Sequence, residues 1–125
     1  MTTTLMQVAL GGAFGASARY LTGLAVVRLM GHGFPWGTFA VNVLGSFLMG
    51  VLVVVLSQYH ATRFAPLVIT GFLGGFTTFS AFSLDTVALF ERGQMTAAAF
   101  YVLASVGLAI AALFAGMMAA KGYFA

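Results

Sequence analysis

The sequence predicts an all-α membrane protein with four transmembrane helices in a single domain, residues 1–125. Hydrophobic residues fill 62% of its 125 positions and charged residues only 6%, whereas about 25% of the residues in a soluble domain are charged. The mean hydropathy is +1.08. Four apolar runs, at about 5–30, 36–57, 67–90 and 96–118, each have the roughly 20 residues that a crossing needs. We therefore expect short loops and no extramembrane domain.

Turn-rich or polar segments separate the four runs. The first run lacks the charged leader and short apolar core of a cleavable signal peptide, so we expect a retained helix. Residues 31–35, Gly-His-Gly-Phe-Pro, interrupt the pattern, and Trp36 begins the second run at a position typical of interfacial aromatic residues. A polar loop carrying His60 and Arg63 leads to the third run. The fourth run is the plainest.

The middle of the third run, residues 71–78, is a poor helix. It contains Gly71, Gly74 and Gly75, each costing about 1 kcal/mol relative to alanine, and two β-branched threonines follow. We expect the third helix to be broken in mid-membrane. Irregular backbone is tolerated there only where protein, water or an ion satisfies its polar groups, so the break indicates a buried or ion-lined position.

The distribution of basic residues favours neither orientation in the membrane. With four crossings, Arg63 and Lys121 lie on one side, and Arg28 and Arg92 on the other. Because orientation follows the imbalance of Lys and Arg between short loops, this balance predicts dual topology. Two oppositely inserted copies would then form an antiparallel homodimer. The alternative is a single orientation set by another feature, such as the N-terminal amine.

Arg19 lies in the middle third of the first run, where a charge costs about 2.5–3.5 kcal/mol on insertion scales. It shares a helix face with Gly12, Gly15 and Gly23, a pattern that indicates close helix contact. Two interpretations are open. Arg19 either serves function or holds the fold by capping backbone carbonyls or pairing with Asp85.

Polar side chains also recur along two other runs. The second run carries three of them four residues apart, Thr38, Asn42 and Ser46. The fourth run repeats the pattern more weakly with Tyr101 and Ser105, and Ala109 ends it. An amide in mid-membrane can donate to an anion or to a neighbouring helix, and both roles are open for Asn42.

After the glycines, Phe79 and Phe82 share one helical face, and Ser80 and Ser83 share a neighbouring one. Such phenylalanines usually face lipid or pack against other helices. An aromatic ring is positive at its edge, however, so inward-facing edges can stabilise an anion without a fixed charge. Weak binding at several positions is what conduction requires.

Several function classes find no support in the sequence. There is no cysteine, and no paired-carboxylate site, Ser-His-acid set or phosphate-binding loop, so we expect no enzyme. The five basic residues are spread singly, so the net charge of +3 predicts no nucleic-acid partner. Asp85 and Glu91 are the only carboxylates and lie in the last part of the third run and at its end, so the other three runs have no acidic group for a proton relay, which weakens a proton-coupled exporter.

Three motifs carry a resemblance to a known family, and they are Gly11-Gly12-x-x-Gly15 followed by Arg19, Gly37-Thr38-x-x-x-Asn42-x-x-Gly45, and Gly71-Phe72-x-Gly74-Gly75-x-Thr77-Thr78-Phe79-Ser80-x-Phe82-Ser83. In these motifs, and over essentially its full length, the chain resembles the Fluc (CrcB) family of fluoride channels. The third motif is highly specific, and the other two occur in the right order and spacing.

The resemblance implies a dual-topology homodimer in the cell (inner or plasma) membrane. Two antiparallel pores would export cytoplasmic fluoride passively and protect the cell against fluoride toxicity. The implied partners are fluoride, a structural sodium ion, membrane lipid and a second copy of the chain. By this likeness the backbone carbonyls of Gly74 and Thr77 hold sodium at the dimer axis, and Arg19 lies in the vestibule at the pore entrance.

The remaining implied residues line the fluoride pore. Phe79 and Phe82 correspond to the family's phenylalanine box and Asn42 to its pore-lining asparagine. The fourth helix contributes a polar track, Tyr101 and Ser105, with Thr38 a weaker candidate. A narrow pathway must replace the water around a small anion, and hydroxyls such as those of Ser80, Ser83 and Ser105 offer donors for this purpose.

The chain departs from the family pattern at three positions. Ala109 stands where many relatives continue the polar track with a hydroxyl, Ala81 replaces a frequent threonine, and Asp85 replaces a common glutamate. Two other functions stay open beside the channel. One is a small proton-coupled exporter of organic cations, for which Asp85 would be essential. The other is a non-transporting structural subunit whose glycine faces serve assembly.

Overall fold

The computed structural model describes residues 1–125, and every regular element in it is helical. The long helices are α1 (Thr2–Met30), α2 (Trp36–Gln58), α4 (Phe79–Glu91) and α5 (Met95–Phe124). A 3-10 turn, Thr62–Phe64, precedes a segment here called α3, which is π-helical over Pro66–Leu73 and α-helical over Gly74–Phe76. The predicted all-α class is confirmed.

Three stretches are long and apolar enough to cross a membrane: Trp36–Gln58, Thr62–Glu91 and Met95–Phe124. α1 has 29 residues and, at about 1.5 Å per residue, exceeds the roughly 30 Å of a bilayer core. Its polar content, including Arg19 and Arg28, keeps it below the hydropathy of the other three. The fourth crossing therefore stays a prediction.

The helix ends lie near the predicted positions, with two extensions. α1 begins at Thr2 rather than near residue 5, and α5 continues to Phe124 rather than ending near residue 118. Between the helices, Gly31 and Gly93 adopt φ values of +80° and +77°, which glycine accepts without steric cost. These two glycines allow the tight turns that reverse the chain.

α1 packs mainly against α3, with glycine faces in direct contact. A Cβ on Gly11 would collide with the carbonyl oxygen of Leu67, and one on Gly15 would collide with that of Phe72. Small residues let helix backbones approach closely in this way. Gly15 of the predicted glycine face and the adjacent Gly11 thus form the surface that holds α3, whereas Gly23 lies next to Gly37 of α2.

α2 packs mainly against α5, again through glycine. A Cβ on Gly50 would meet the carbonyl of Leu113, and one on Gly116 would meet that of Phe47. Because α3 and α4 together make one intervening passage, α2 and α5 run in the same direction. Side chains at equal spacing along the two helices therefore stay level with one another.

The single chain has a small interior. Only 16 of its 125 residues are buried, and one hydrophobic cluster, formed by Phe82, Leu89, Ala98 and Tyr101, joins α4 to α5. Many large apolar side chains, such as Phe14, Leu103 and Met118, are exposed instead. Such a surface suits a lipid environment or contact with another chain.

The predicted interruption of the third helix is present, and it lies at the threonines. Thr77 and Thr78 are extended, with φ, ψ of −88°, 157° and −152°, 116°. The glycines remain helical, and Gly71 and Gly75 lie against α1: a Cβ on Gly75 would come 2.8 Å from the carbonyl of Gly12. The glycines serve helix packing, and the β-branched pair forms the break.

Candidate functional site

The site is built around the helix break, Thr77–Thr78. The Thr78 side chain caps α4, with its hydroxyl accepting a hydrogen bond from the Ala81 N–H at 3.1 Å. Threonine is a preferred residue at this position because its oxygen satisfies one of the free N–H groups at a helix start. A second helix therefore begins directly after the break.

Asn42 of α2 satisfies the backbone of the break. Its Oδ1 accepts from the Thr78 N–H at 2.7 Å, and its Nδ2 donates to the Thr78 carbonyl at 3.0 Å. In an apolar environment each of these backbone groups would be costly if left unpaired. Of the two roles left open by the sequence, Asn42 thus has at least the helix-binding one.

The break redirects donors away from two backbone carbonyls. In an uninterrupted helix, the Thr78 N–H would donate to the Gly74 carbonyl and the Ala81 N–H to that of Thr77. Here these donors go to Asn42 and to the Thr78 hydroxyl. The released carbonyls belong to the two residues that the resemblance associates with sodium, and Gly74 lies at an exposed position.

Arg19 donates from Nε to the carbonyl of Gly75 at 3.0 Å. This carbonyl, like its neighbours, lies where the regular helix ends. The contact matches the fold-holding interpretation in which Arg19 caps backbone carbonyls. A guanidinium has five N–H donors, so several remain after this bond for other partners.

Four of the predicted pore residues line one cavity of about 300 Å³, here called the phenylalanine cavity: Asn42, Phe79, Phe82 and Ser105. Ser105 is buried, and its Oγ has no hydrogen-bond partner within the chain. A buried hydroxyl without a hydrogen-bond partner is unusual, so we expect this one to bind water or an ion. The cavity thus combines an unpaired donor with mostly apolar walls.

The two phenylalanine rings meet at this cavity. The ring centroids of Phe79 and Phe82 are 5.4 Å apart with planes at 55°. Phe82 also lies 5.2 Å from the ring of Tyr101 and is buried, whereas Phe79 is 76% exposed in the single chain. Tilted rings of this kind can present a positive edge towards an anion.

A second cavity, of about 490 Å³ and here called the arginine cavity, lies on the other side of the break. The residues that line it include three with charged side chains, Arg19, Asp85 and Arg92, and the hydroxyl residue Thr38. The hydroxyl of fully buried Tyr101 donates to Asp85 Oδ2 at 3.2 Å. Thr78 lines both cavities, so the break separates a polar chamber from a mainly apolar one.

The structure does not bring every predicted pore residue together. Ser80 and Ser83 are exposed and line neither of the two cavities. Ser83 donates to the Phe79 carbonyl at 3.0 Å, and the Ser80 hydroxyl lies 3.3 Å from that of Thr78. In one chain these hydroxyls face outward, and their pore role stays a prediction.

Thr78 and Ser46 line the site although the sequence analysis, which noted both in patterns, gave neither of them a role. Thr78 caps α4 and lines both cavities, and Ser46 lines the phenylalanine cavity. A signal was available for each. Thr78 directly precedes a helix, as capping residues do, and Ser46 continues the four-residue spacing of Asn42.

Comparisons with known proteins agree with these features. The model of a family described as "CrcB-like protein, Camphor Resistance (CrcB)" matches residues 6–117. A protein of Cereibacter sphaeroides named "Fluoride-specific ion channel FluC" is 63% identical over 125 residues, which cover 100% of both chains. A protein of the same name from Ruegeria sp. (strain TM1040) is 58% identical over 123 residues, 98% of each chain.

A third relative with that name, from Rhizobium etli, is 56% identical over 114 residues, which cover 90% of this chain and 91% of the relative. The shared name describes an ion channel rather than an enzyme. The likeness extends over the helix break and both cavities, because the matched family region includes all of their residues.

Proposed function

The chain is a multi-pass membrane protein that belongs to the CrcB-like family, and on that premise we propose that it is a fluoride-selective channel. The observation that carries the proposal is the 63% identity, over the whole of both chains, to a relative named as a fluoride-specific ion channel. Hydrogen fluoride crosses bilayers as a neutral weak acid and ionises inside the cell. An open path for the anion would let a negative membrane potential drive it out, and this passive export from the plasma (inner) membrane would protect the cell.

The phenylalanine cavity supports this function through its chemistry. A small anion pays a larger dehydration penalty than a large one, so its path must supply replacement donors. Asn42 retains a second N–H on Nδ2, and Ser105 has an unpaired hydroxyl. The rings of Phe79 and Phe82 add positive edges without a fixed charge that would hold the ion.

We propose that the active assembly has four crossings per chain and is an antiparallel dual-topology homodimer. Two features support a second copy. Phe79 borders the cavity yet is 76% exposed, so another surface is needed to complete the wall. The basic residues are balanced between the two sides of a four-crossing chain, which leaves both orientations accessible.

We also propose that a sodium ion binds at the helix break in this dimer. The carbonyls of Gly74 and Thr77 are neutral oxygen ligands whose helical donors are engaged elsewhere, and such carbonyls coordinate sodium in other membrane proteins. Two copies would supply four of them. We expect the dimer to lose thermal stability when sodium is replaced by a bulky organic cation, as measured by the melting temperature in detergent.

Fluoride efflux from liposomes tests the main proposal. The purified protein is reconstituted with internal potassium fluoride, and valinomycin carries the compensating potassium current. A fluoride electrode should record rapid release, while parallel vesicles loaded with chloride should release little. Vesicles without protein are the control.

Other outcomes would favour the competing functions. No fluoride release from a folded, reconstituted protein would overturn the channel. Protection of cells against cationic drugs that is lost in Asp85→Asn would instead indicate a proton-coupled exporter. Stable association with another protein and no flux when purified alone would indicate a structural subunit.

A further inference from the structure

The phenylalanine cavity is lined by two helix serines whose hydroxyls do not bond to their own helix. Hydroxyls in helices often donate to the carbonyl one turn earlier, and Ser17, Ser83 and Thr86 do so at 2.7, 3.0 and 2.8 Å. Ser46 and Ser105 make no such bond. Both line the cavity, from α2 and α5 respectively, so their hydroxyls are available to a ligand.

The register of α2 and α5 places Ser46 beside an apolar stretch of α5. A Cβ on Gly50 would lie between the backbones of Leu113 and Met117 in α5, and the two helices run in the same direction. One turn earlier on both helices, Ser46 therefore lies between the levels of Ala109 and Leu113. Both of these α5 residues line the phenylalanine cavity together with Ser46.

The polar lining of the cavity is uneven along its length. One turn before Ser46, Asn42 and Ser105 offer donors from both helices. At the level of Ser46, α5 offers only the apolar side chains of Ala109 and Leu113. Thr77 on the facing wall donates its hydroxyl to a carbonyl of its own segment at 2.9 Å. Ser46 is therefore the hydroxyl left to an ion at this level.

We propose that Ser46 is an anion-binding residue of the fluoride path and supplies the donor that α5 lacks at Ala109. The inference rests on the proposed channel function and adds a residue to it. An anion moving on from Asn42 and Ser105 meets apolar walls at the next turn. One hydroxyl there lowers the cost of dehydration without holding the ion tightly.

Two variants of equal shape test the role of the hydroxyl. Ser46→Thr keeps the donor and should conduct like the wild type in the liposome assay. Ser46→Val has the same shape without the donor, and its fluoride efflux should fall about tenfold, equivalent to about 1.4 kcal/mol. Ser57→Ala removes an exposed hydroxyl from the same helix outside both cavities, and its flux should not change.

A transplanted hydroxyl separates ion binding from a merely structural role. Ala109→Ser in the Ser46→Val background returns a donor to the same part of the cavity from the opposite helix, so it should restore most of the flux. Equal flux in the Thr and Val variants would overturn the proposal, as would a failure of Ala109→Ser to restore flux. A wild-type protein without fluoride efflux would overturn the channel function itself, which distinguishes the two failures.

Discussion

Asn42 combines a structural role with a proposed binding role. Its amide holds Thr78 through two hydrogen bonds of 2.7 and 3.0 Å, and Nδ2 has one further N–H. Because these bonds already fix the side chain, little additional entropy is lost when the remaining donor meets an ion. A preorganised amide is thus well suited to weak, rapid binding.

The charge at this position can be changed with little change of shape. Asn42→Asp keeps an oxygen to accept from Thr78 N–H but replaces the donor with an anion. A like charge about 4 Å away costs about 4 kcal/mol at an effective dielectric of about 20, so fluoride efflux should fall by far more than tenfold. Liposome flux measures the effect. Unchanged flux in a folded variant would exclude a fluoride path beside Asn42.

Phe79 offers a cleaner test of the ring edges than Phe82. Because Phe79 is 76% exposed and Phe82 is buried in the cluster with Tyr101, the Phe82 change removes more packing within the chain than the Phe79 change does. Phe79→Ile should lower fluoride flux and leave the melting temperature of the protein nearly unchanged. Phe90→Ile, on the same helix and 57% exposed, is the matched control. Equal flux in both variants would contradict the ring-edge role.

The sequence allowed part of the site to be predicted. Asn42, Phe79, Phe82 and Ser105 meet in one cavity, as their pore assignment requires. Helical spacing could group Ser80 with Ser83 but could not decide which face of α4 turns inward. In a membrane helix both faces are largely apolar, so tertiary contact, here the packing of Phe82 on α5, decides the orientation.

At the scale of the helices, the break was predictable and its position was less so. From intrinsic propensity, the cost of the break would fall on Gly71, Gly74 and Gly75, yet all three are helical, and α1 approaches Gly71 and Gly75 closely. The extended pair is Thr77 and Thr78, whose backbone groups find a partner in Asn42. The π-helical form of Pro66–Leu73 had no signal in the pattern of apolar residues.

The contact between α1 and α3 predicts a large difference between two glycine substitutions. Gly15→Ala places a Cβ against the backbone carbonyl of Phe72, which cannot move without shifting α3. We expect a loss of about 1–3 kcal/mol, typical of overpacking, seen as a lower melting temperature in detergent.

Gly122→Ala is the matched control for this substitution. Its Cβ meets nothing within 4 Å, so the better helix propensity of alanine should leave stability unchanged or raise it by up to about 1 kcal/mol. If both substitutions lowered the melting temperature equally, close packing of α1 on α3 would not be the cause.

At the scale of the whole molecule, composition was enough to predict a helical membrane protein. The assembly could not be predicted in the same way, because it depends on contacts between chains. The apolar content predicts spans, and Trp36–Gln58, Thr62–Glu91 and Met95–Phe124 have the required length and hydropathy. α1 carries Arg19, whose Nε is satisfied by a carbonyl of α3. A polar group of α3 therefore compensates for the polarity of Arg19 in α1. The hydropathy of a single helix does not take account of such contacts between helices.

Charge balance leads to a prediction about orientation. With the proposed four crossings, Arg63 and Lys121 lie on the side opposite Arg28 and Arg92, so one added charge should bias insertion. Reporter fusions at the C-terminus should show both orientations for the wild type. Gln58→Arg and Gln94→Arg add charge on opposite sides and should each favour one orientation, in opposite senses.

Function then tests whether both orientations are needed in one assembly. In cells that lack their own fluoride exporter, either charge variant alone should give weak fluoride resistance, because antiparallel pairs become rare. Co-expression of Gln58→Arg with Gln94→Arg should restore resistance, since each supplies the orientation that the other lacks. The neutral changes Gln58→Asn and Gln94→Asn are the controls and should resist fluoride like the wild type. Full resistance from one variant that the reporter shows in a single orientation would contradict the antiparallel dimer and favour a parallel or monomeric channel.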